Sequence, residues 1–167
     1  MLAALLAAEP VEARIDHIAL VVGERVVLGS DLAVEERLAQ MDPIPIPALQ
    51  RRRAASREEW LIDAAVIRGL AGSTSVYTPS PADVALRVER VRAQMPDEGA
   101  WFVFLATAGL TADTFASLIY TRLVVERYVQ RNAGVLALGD GPEADEAYAA
   151  WVSGLRARVA IRRPALP

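Results

Sequence analysis

Apolar residues recur along this chain at helical spacing almost everywhere, and in strict alternation only over one short stretch near the front. The longest helical pattern runs from Thr111 to Asn132. Thr111 is placed to cap it, Asp113 sits where the helix dipole favours an anion, and Arg127 and Arg131 lie near the opposite end. Phe115, Ile119 and Leu123 share one stripe, Leu118, Val125 and Val129 a second beside it, and Tyr120, Val124 and Tyr128 widen the apolar surface. A surface helix needs an apolar stripe of about 100°. This one is far wider, so it should be packed on more than one side, as the central helix of a domain. Arg122, Glu126, Arg127 and Arg131 are expected to form its wet edge and C-terminal end. They also break the apolar run before the ~20 residues that a membrane-spanning helix requires.

The alternating stretch is Ile15 to Ser30. Two β-capable runs, Ile18–Val22 and Arg25–Leu28, flank Gly23-Glu24, and a Gly-X pair suits a two-residue type II′ hairpin turn. His17 falls opposite the face shared by Ile18, Leu20 and Val22, where a structural or solvent-exposed role is expected. Ser30 is placed to cap a helix from Asp31 to Met41. Three prolines at alternate positions from Pro43 then enforce an extended segment, read as a loop crossing the surface. Arg51, Arg52 and Arg53 follow as a solvated basic face near the carboxylates of the next helix.

Ser56 and Glu59 make a capping box for a helix ending near Ala71. Its broad apolar face, with Trp60, Ala64 and Ile67 on one stripe and Ile62, Val66 and Leu70 on another, makes it the natural partner of the central helix. Ser80, Pro81 and Asp83 start a further helix, whose stripe is Val84, Val88, Val91 and Met95, with Arg87, Arg90 and Arg92 turned to a wet outer face. Trp101 to Leu105 has strand propensity, but the spacing of Ala100, Phe104 and Ala108 between Asp97-Glu98 and Gly109 predicts a short helix. Residues 134–142 form a glycine-rich connector without the lysine of a phosphate-binding loop. A last helix from Pro142 presents Tyr148, Trp151, Val152, Leu155 and Val159 on one side, and Val159 to Ile161 is β-capable.

The chain has 167 residues, 53% of them hydrophobic, which suits one domain with a sizeable core and argues against disorder. A net charge of -3, with no strongly basic face, gives no sign of nucleic-acid binding. With no cysteine, disulfides and thiolate chemistry are excluded, and with one histidine so is a His-rich metal site. Residues 1–13 open with MLAALLAA before Glu9-Pro10, which reads as the remnant of a secretory signal, with a docked or frayed helix as the alternative.

In order, the chain offers an I-D-x-I-x-x-V-V hairpin (Ile15, Asp16, Ile18, Val21, Val22, then Val26 and Leu28) and an S-D-L helix start at Ser30, Asp31 and Leu32. Gly109, Leu110 and Thr111 follow, then a long helix carrying Leu123, Arg127, Tyr128 and Arg131. A final helix carries Trp151, Leu155, Arg156, Arg158 and Ile161. This order resembles the chaperone domain of the SurA family of periplasmic folding factors, and no single motif carries the likeness. In that family the domain is split, with parvulin-type prolyl isomerase modules inserted between the N-terminal part and the C-terminal helix and strand. Here residues 14–133 and 143–163 would be those two parts, joined by a linker at 134–142 too short for such a module and without its histidines. The resemblance therefore implies a single domain at 14–163. It would be mainly α, a helical bundle around a long central helix, with a small N-terminal β-hairpin joined by a short C-terminal strand.

The resemblance further implies a periplasmic, non-enzymatic domain that holds unfolded or extended polypeptides, such as outer-membrane protein clients, in an apolar groove. No cofactor, metal, nucleic acid or membrane insertion is expected, and a homodimer is possible on the same apolar faces. Adaptable Met and large aromatic side chains suit such a groove, and the candidates are Met41, Trp60, Met95, Trp101, Phe104 and Tyr120. The alternative is a non-catalytic structural or assembly protein that uses the fold to pair with itself or a partner. Adjacent carboxylates such as Glu35-Glu36, Glu58-Glu59 and Asp145-Glu146 sit in first helical turns or on exposed faces, which does not suggest an enzyme.

Overall fold

A computed structural model describes residues 16–134 and 139–164. Residues 1–13, read above as a signal remnant, lie outside them, as do residues 135–138 of the 134–142 connector. The elements in order are β1 (Ile18–Val22), β2 (Arg25–Leu28), α1 (Gly29–Met41), α2 (Pro47–Ala55) and α3 (Arg57–Ala71). Then come α4 (Pro81–Arg92), α5 (Glu98–Thr107), α6 (Ala112–Asn132), α7 (Pro142–Arg156) and β3 (Ile161–Arg162). The fold is mainly α, with one small antiparallel sheet in the order β2-β1-β3.

The hairpin turns at Gly23 with φ +60°, while Glu24 keeps a negative φ, the pattern of a type II′ turn. An extra β1 residue between Ile18 and Leu20 makes a bulge. β3 returns from the far end of the chain to pair with β1, Val21 opposite Arg162 and Val22 opposite Ile161. The Gly23 amide donates to the Ala160 carbonyl at 2.8 Å, extending that ladder into the turn.

α6 is the axis, and two apolar cores lie along it. Phe115 and Ile119 in its first half pack with Val34 and Leu38 of α1, Val91 of α4, and Trp101 and Leu105 of α5. Val125 and Val129 in its second half pack with the sheet, α3 and α7, including Leu20, Trp60, Ile67, Tyr148 and Val152. Helix α7 lies against α2 and α3, so the tail of the chain closes over the core that the front begins.

Several local expectations are corrected. The proline segment does not simply cross the surface. Pro43 and Pro45 face water while Ile44 and Ile46 are buried, the period of an extended strand, and Pro47 opens α2. The three arginines are not a solvated face: α2 carries them, and Arg53 is fully buried. Ser30 does not cap α1. The helix begins at Gly29, Asp31 accepts from the Leu28 amide at 2.9 Å, and the Ser30 hydroxyl turns back to Asp16. Only half of the Ser56 box forms, because Ser56 accepts from the Glu59 amide while the Glu59 carboxylate is engaged by Arg52 and Arg156. Arg87, Arg122 and Glu126 are buried rather than wet.

Candidate functional site

Those buried charges form an alternating chain where the two cores meet. Arg53 donates to Glu35, which also accepts from Arg122. Arg122 reaches Asp42 at 2.9 Å, Asp42 accepts from Arg87, and Arg87 donates to Glu126 at 3.2 Å. Arg53 and Arg87 also bond the backbone carbonyls of Asp42 and Pro43. With all six ionised, the three cations and three anions cancel, so that each buried charge has a partner. Glu126 is the least comfortable member. Burial pushes its carboxyl up to about 7 despite the pull of Arg87. A second cluster ties α7 down, with Arg156 donating to Glu59 and Asp63 and Arg52 joining both carboxylates. Burial raises the Asp63 carboxyl against the pull of Arg156 and Arg52.

Beside this ionic chain lie three neighbouring depressions. The widest is an open groove of about 720 Å³ between α4 and α6, walled by Val84, Val88, Ala116 and Tyr120. The Arg68 guanidinium lies over the Tyr120 ring, 5.6 Å from its centroid, and helps hold that ring in place. Thr121 borders both this groove and a smaller cavity of about 60 Å³ under β2, where Val27, Val34, Leu38, Leu61 and Leu118 meet Glu35 and Arg122. A third cleft of about 320 Å³ lies between the hairpin turn and α3. It shares Arg68 with the groove and Arg25 and Ala65 with the cavity. The three lie side by side through these shared wall residues, a trough in three compartments from α4 past α6 and α3 to the hairpin turn.

The six sequence candidates are not brought together. Tyr120 is on the groove. Trp60 and Trp101, expected to stay partly uncovered, are core residues at 1% and 5% exposure. Trp60 is enclosed beneath the sheet, though it touches the small cavity, and Trp101 packs edge-on against Phe115 with ring centroids 5.0 Å apart. Met41, Met95 and Phe104 are half-buried against the α1–α4–α5–α6 core and border none of the three parts. The groove walls that went unnamed were visible as the narrow stripe of α4, Val84 and Val88, which α6 covers only in part. Leu86, Phe102 and Val103 stand exposed at 64%, 59% and 66% on the outer sides of α4 and α5.

Among the described residues, no group of three or more His, Asp or Glu side chains could hold a metal ion. No single described helix is long and apolar enough to cross a membrane, and α5 and α6 meet that test together only across an 80° bend. Comparison with protein-family models, with curated proteins and with solved structures finds no match to this chain.

Proposed function

We propose that this chain is a non-catalytic, chaperone-like domain of the SurA type that holds unfolded or extended polypeptides along the trough. Secreted to the periplasm, it would take outer-membrane proteins in transit as clients, and the work needs no cofactor. The observation that carries this reading is the groove between α4 and α6, which stays open to solvent beside two buried cores. Its walls are apolar and aromatic, giving contact area without sequence preference. Its walls also include Arg68, which can donate to a main chain, and Glu89, Ser117 and Thr121, which can accept from one, the two hydroxyls themselves donating to the α6 backbone.

The test is dilution of a urea-unfolded outer-membrane protein into buffer with increasing excess of the domain, followed by light scattering. Wild type delays aggregation, while Tyr120→Asp and Val88→Asp, which place a charge on the groove wall, lose most of that effect at a temperature where circular dichroism shows each variant still folded. Equal protection by wild type and both variants would remove the groove from the account. A second reading, self- or partner assembly, is favoured by Phe102 and Val103, adjacent apolar side chains left uncovered on α5. No delay at large excess, with a stable dimer lost in Phe102→Ser, would decide for it.

A further inference from the structure

The sheet ends on β2, and its open side bears on how a chain would lie in the trough. In a two-residue hairpin the residues flanking the turn exchange hydrogen bonds, here Val22 and Arg25, and the next pair, Val21 and Val26, does not. The β3 side agrees: Val21 and Gly23 face Arg162 and Ala160, and the Gly23 amide donates to Ala160. Val21 therefore directs its backbone groups towards β3, and Val26 directs its N–H and C=O away from the sheet. Among the described residues nothing bonds them there, since β2 has no neighbour on that side. The open edge is short, because beyond it the Leu28 amide is taken by Asp31.

We propose that an extended polypeptide docks by pairing antiparallel with β2 at Val26, sinking a small aliphatic side chain into the cavity beneath. Side-chain alternation supports this. Val26 is exposed on the outer face, whereas Arg25 and Val27 turn towards the cavity. A guest residue opposite Val26 would point outwards, and its two neighbours, opposite Arg25 and Val27, would point in. The cavity they meet touches β2 and not β1, so it lies under the open edge, and its volume of about 60 Å³ suits a valine-sized group. Main-chain bonds with a pocket for alternate side chains are the terms of strand addition. Such binding asks only for extended backbone and small apolar side chains, as a nascent outer-membrane β-strand offers. Thr121 is a wall of both the cavity and the α4–α6 groove, so the two sites are neighbours.

This rests on the trough being the polypeptide site, and the experiment separates the two. The probe is a peptide of alternating valine and serine flanked by lysines, with affinity measured by fluorescence anisotropy. N-methylation is walked along the peptide, and the protein variants are Val26→Pro, which removes the outward N–H from an edge position that tolerates proline, and Tyr120→Ala. Methylation should weaken binding at the one residue that pairs with Val26 and not at its two neighbours, and Val26→Pro should weaken it roughly tenfold, the worth of one or two hydrogen bonds. Because the methylation walk leaves the protein untouched, it holds whether or not Val26→Pro folds. Insensitivity to methylation, with Tyr120→Ala still weakening, overturns strand pairing and leaves the trough. No binding to wild type overturns both. A dimer that Val26→Pro dissolves and the peptide cannot displace gives the edge to a second copy, and also overturns it.

Discussion

At the scale of single residues the unusual feature is a line of six charges through the middle of the molecule. Arg53, Arg122 and Glu126 could not be read from the sequence, because a charge on a helical pattern is normally wet. Their partners lie far along the chain, Arg122 being 80 residues from Asp42 and 87 from Glu35. Glu126 sits at the end of the line with Arg87 as its partner, and burial holds its carboxyl near 7 against an ordinary 4.5. Between those values the folded state keeps a proton that the unfolded chain has released. Stability from Glu126 is thus full below the lower value and is lost as pH rises through the upper one, by on the order of 3 kcal/mol. Asp63, also raised by burial, works in the same sense. Asp16, Glu59, Asp83 and Asp145 are held below their ordinary values by hydrogen bonds from Ser30, Arg156, Ser80 and Arg51, and their support is lost on acidification instead. Urea midpoints for wild type should fall between about pH 5 and pH 8, and Glu126→Gln, which cannot ionise, should reduce that fall. An equal fall in the variant would show that Glu126 does not titrate there.

At the scale of elements, what is local was legible and what depends on distant packing was not. The hairpin followed from Gly23-Glu24 between β-capable runs, and α6 from its caps and its wide apolar surface. The α5 segment has strand propensity but folds as a helix, with Asp97 accepting from the Ala100 amide at 2.8 Å, as its flanks and spacing indicated. Helix α2 was missed because prolines before it and arginines along it hide any apolar stripe. Its buried face is Ala48, Leu49 and the guanidinium-bearing Arg53. The groove was only half legible: the α4 stripe showed in the sequence, while the extent to which α6 leaves it uncovered is a matter of helix placement. The hairpin invites a direct test. Gly23 adopts φ +60°, which a side chain disfavours, and Val159 packs over the same turn, 3.4 Å from where a Cβ would lie. Gly23→Ala should cost about 1 kcal/mol in urea unfolding while leaving the groove variants' effects unchanged. A neutral result would mean that the turn relaxes without loss.

At the scale of the whole molecule, the first and last elements close one unit. β3 pairs with β1, α7 covers Trp60 and Ile67 with Tyr148 and Val152, and Arg156 supplies one of the two cations facing the fully buried Asp63. Arg51 on α2 holds Asp145 near the start of α7 and Asp140 just before it. The segment between Gly134 and Gly139 therefore joins two parts that are held by other contacts, so its length should matter little. Each doubling of a flexible loop costs only about 0.6 kcal/mol, so glycine-serine residues inserted between Gly134 and Gly139 should lower the melting temperature slightly. Deleting everything from Gly139 onward is a different perturbation. It uncovers the core under the sheet and leaves Asp63 with Arg52 alone, and the remaining chain should lose its cooperative transition. The decisive version is to cut the chain between Gly134 and Gly139 and mix the two fragments. Recovery of a single cooperative melt on mixing, absent from either fragment, is the expected outcome. A front fragment that melts cooperatively by itself would show that the tail is an accessory rather than part of the fold.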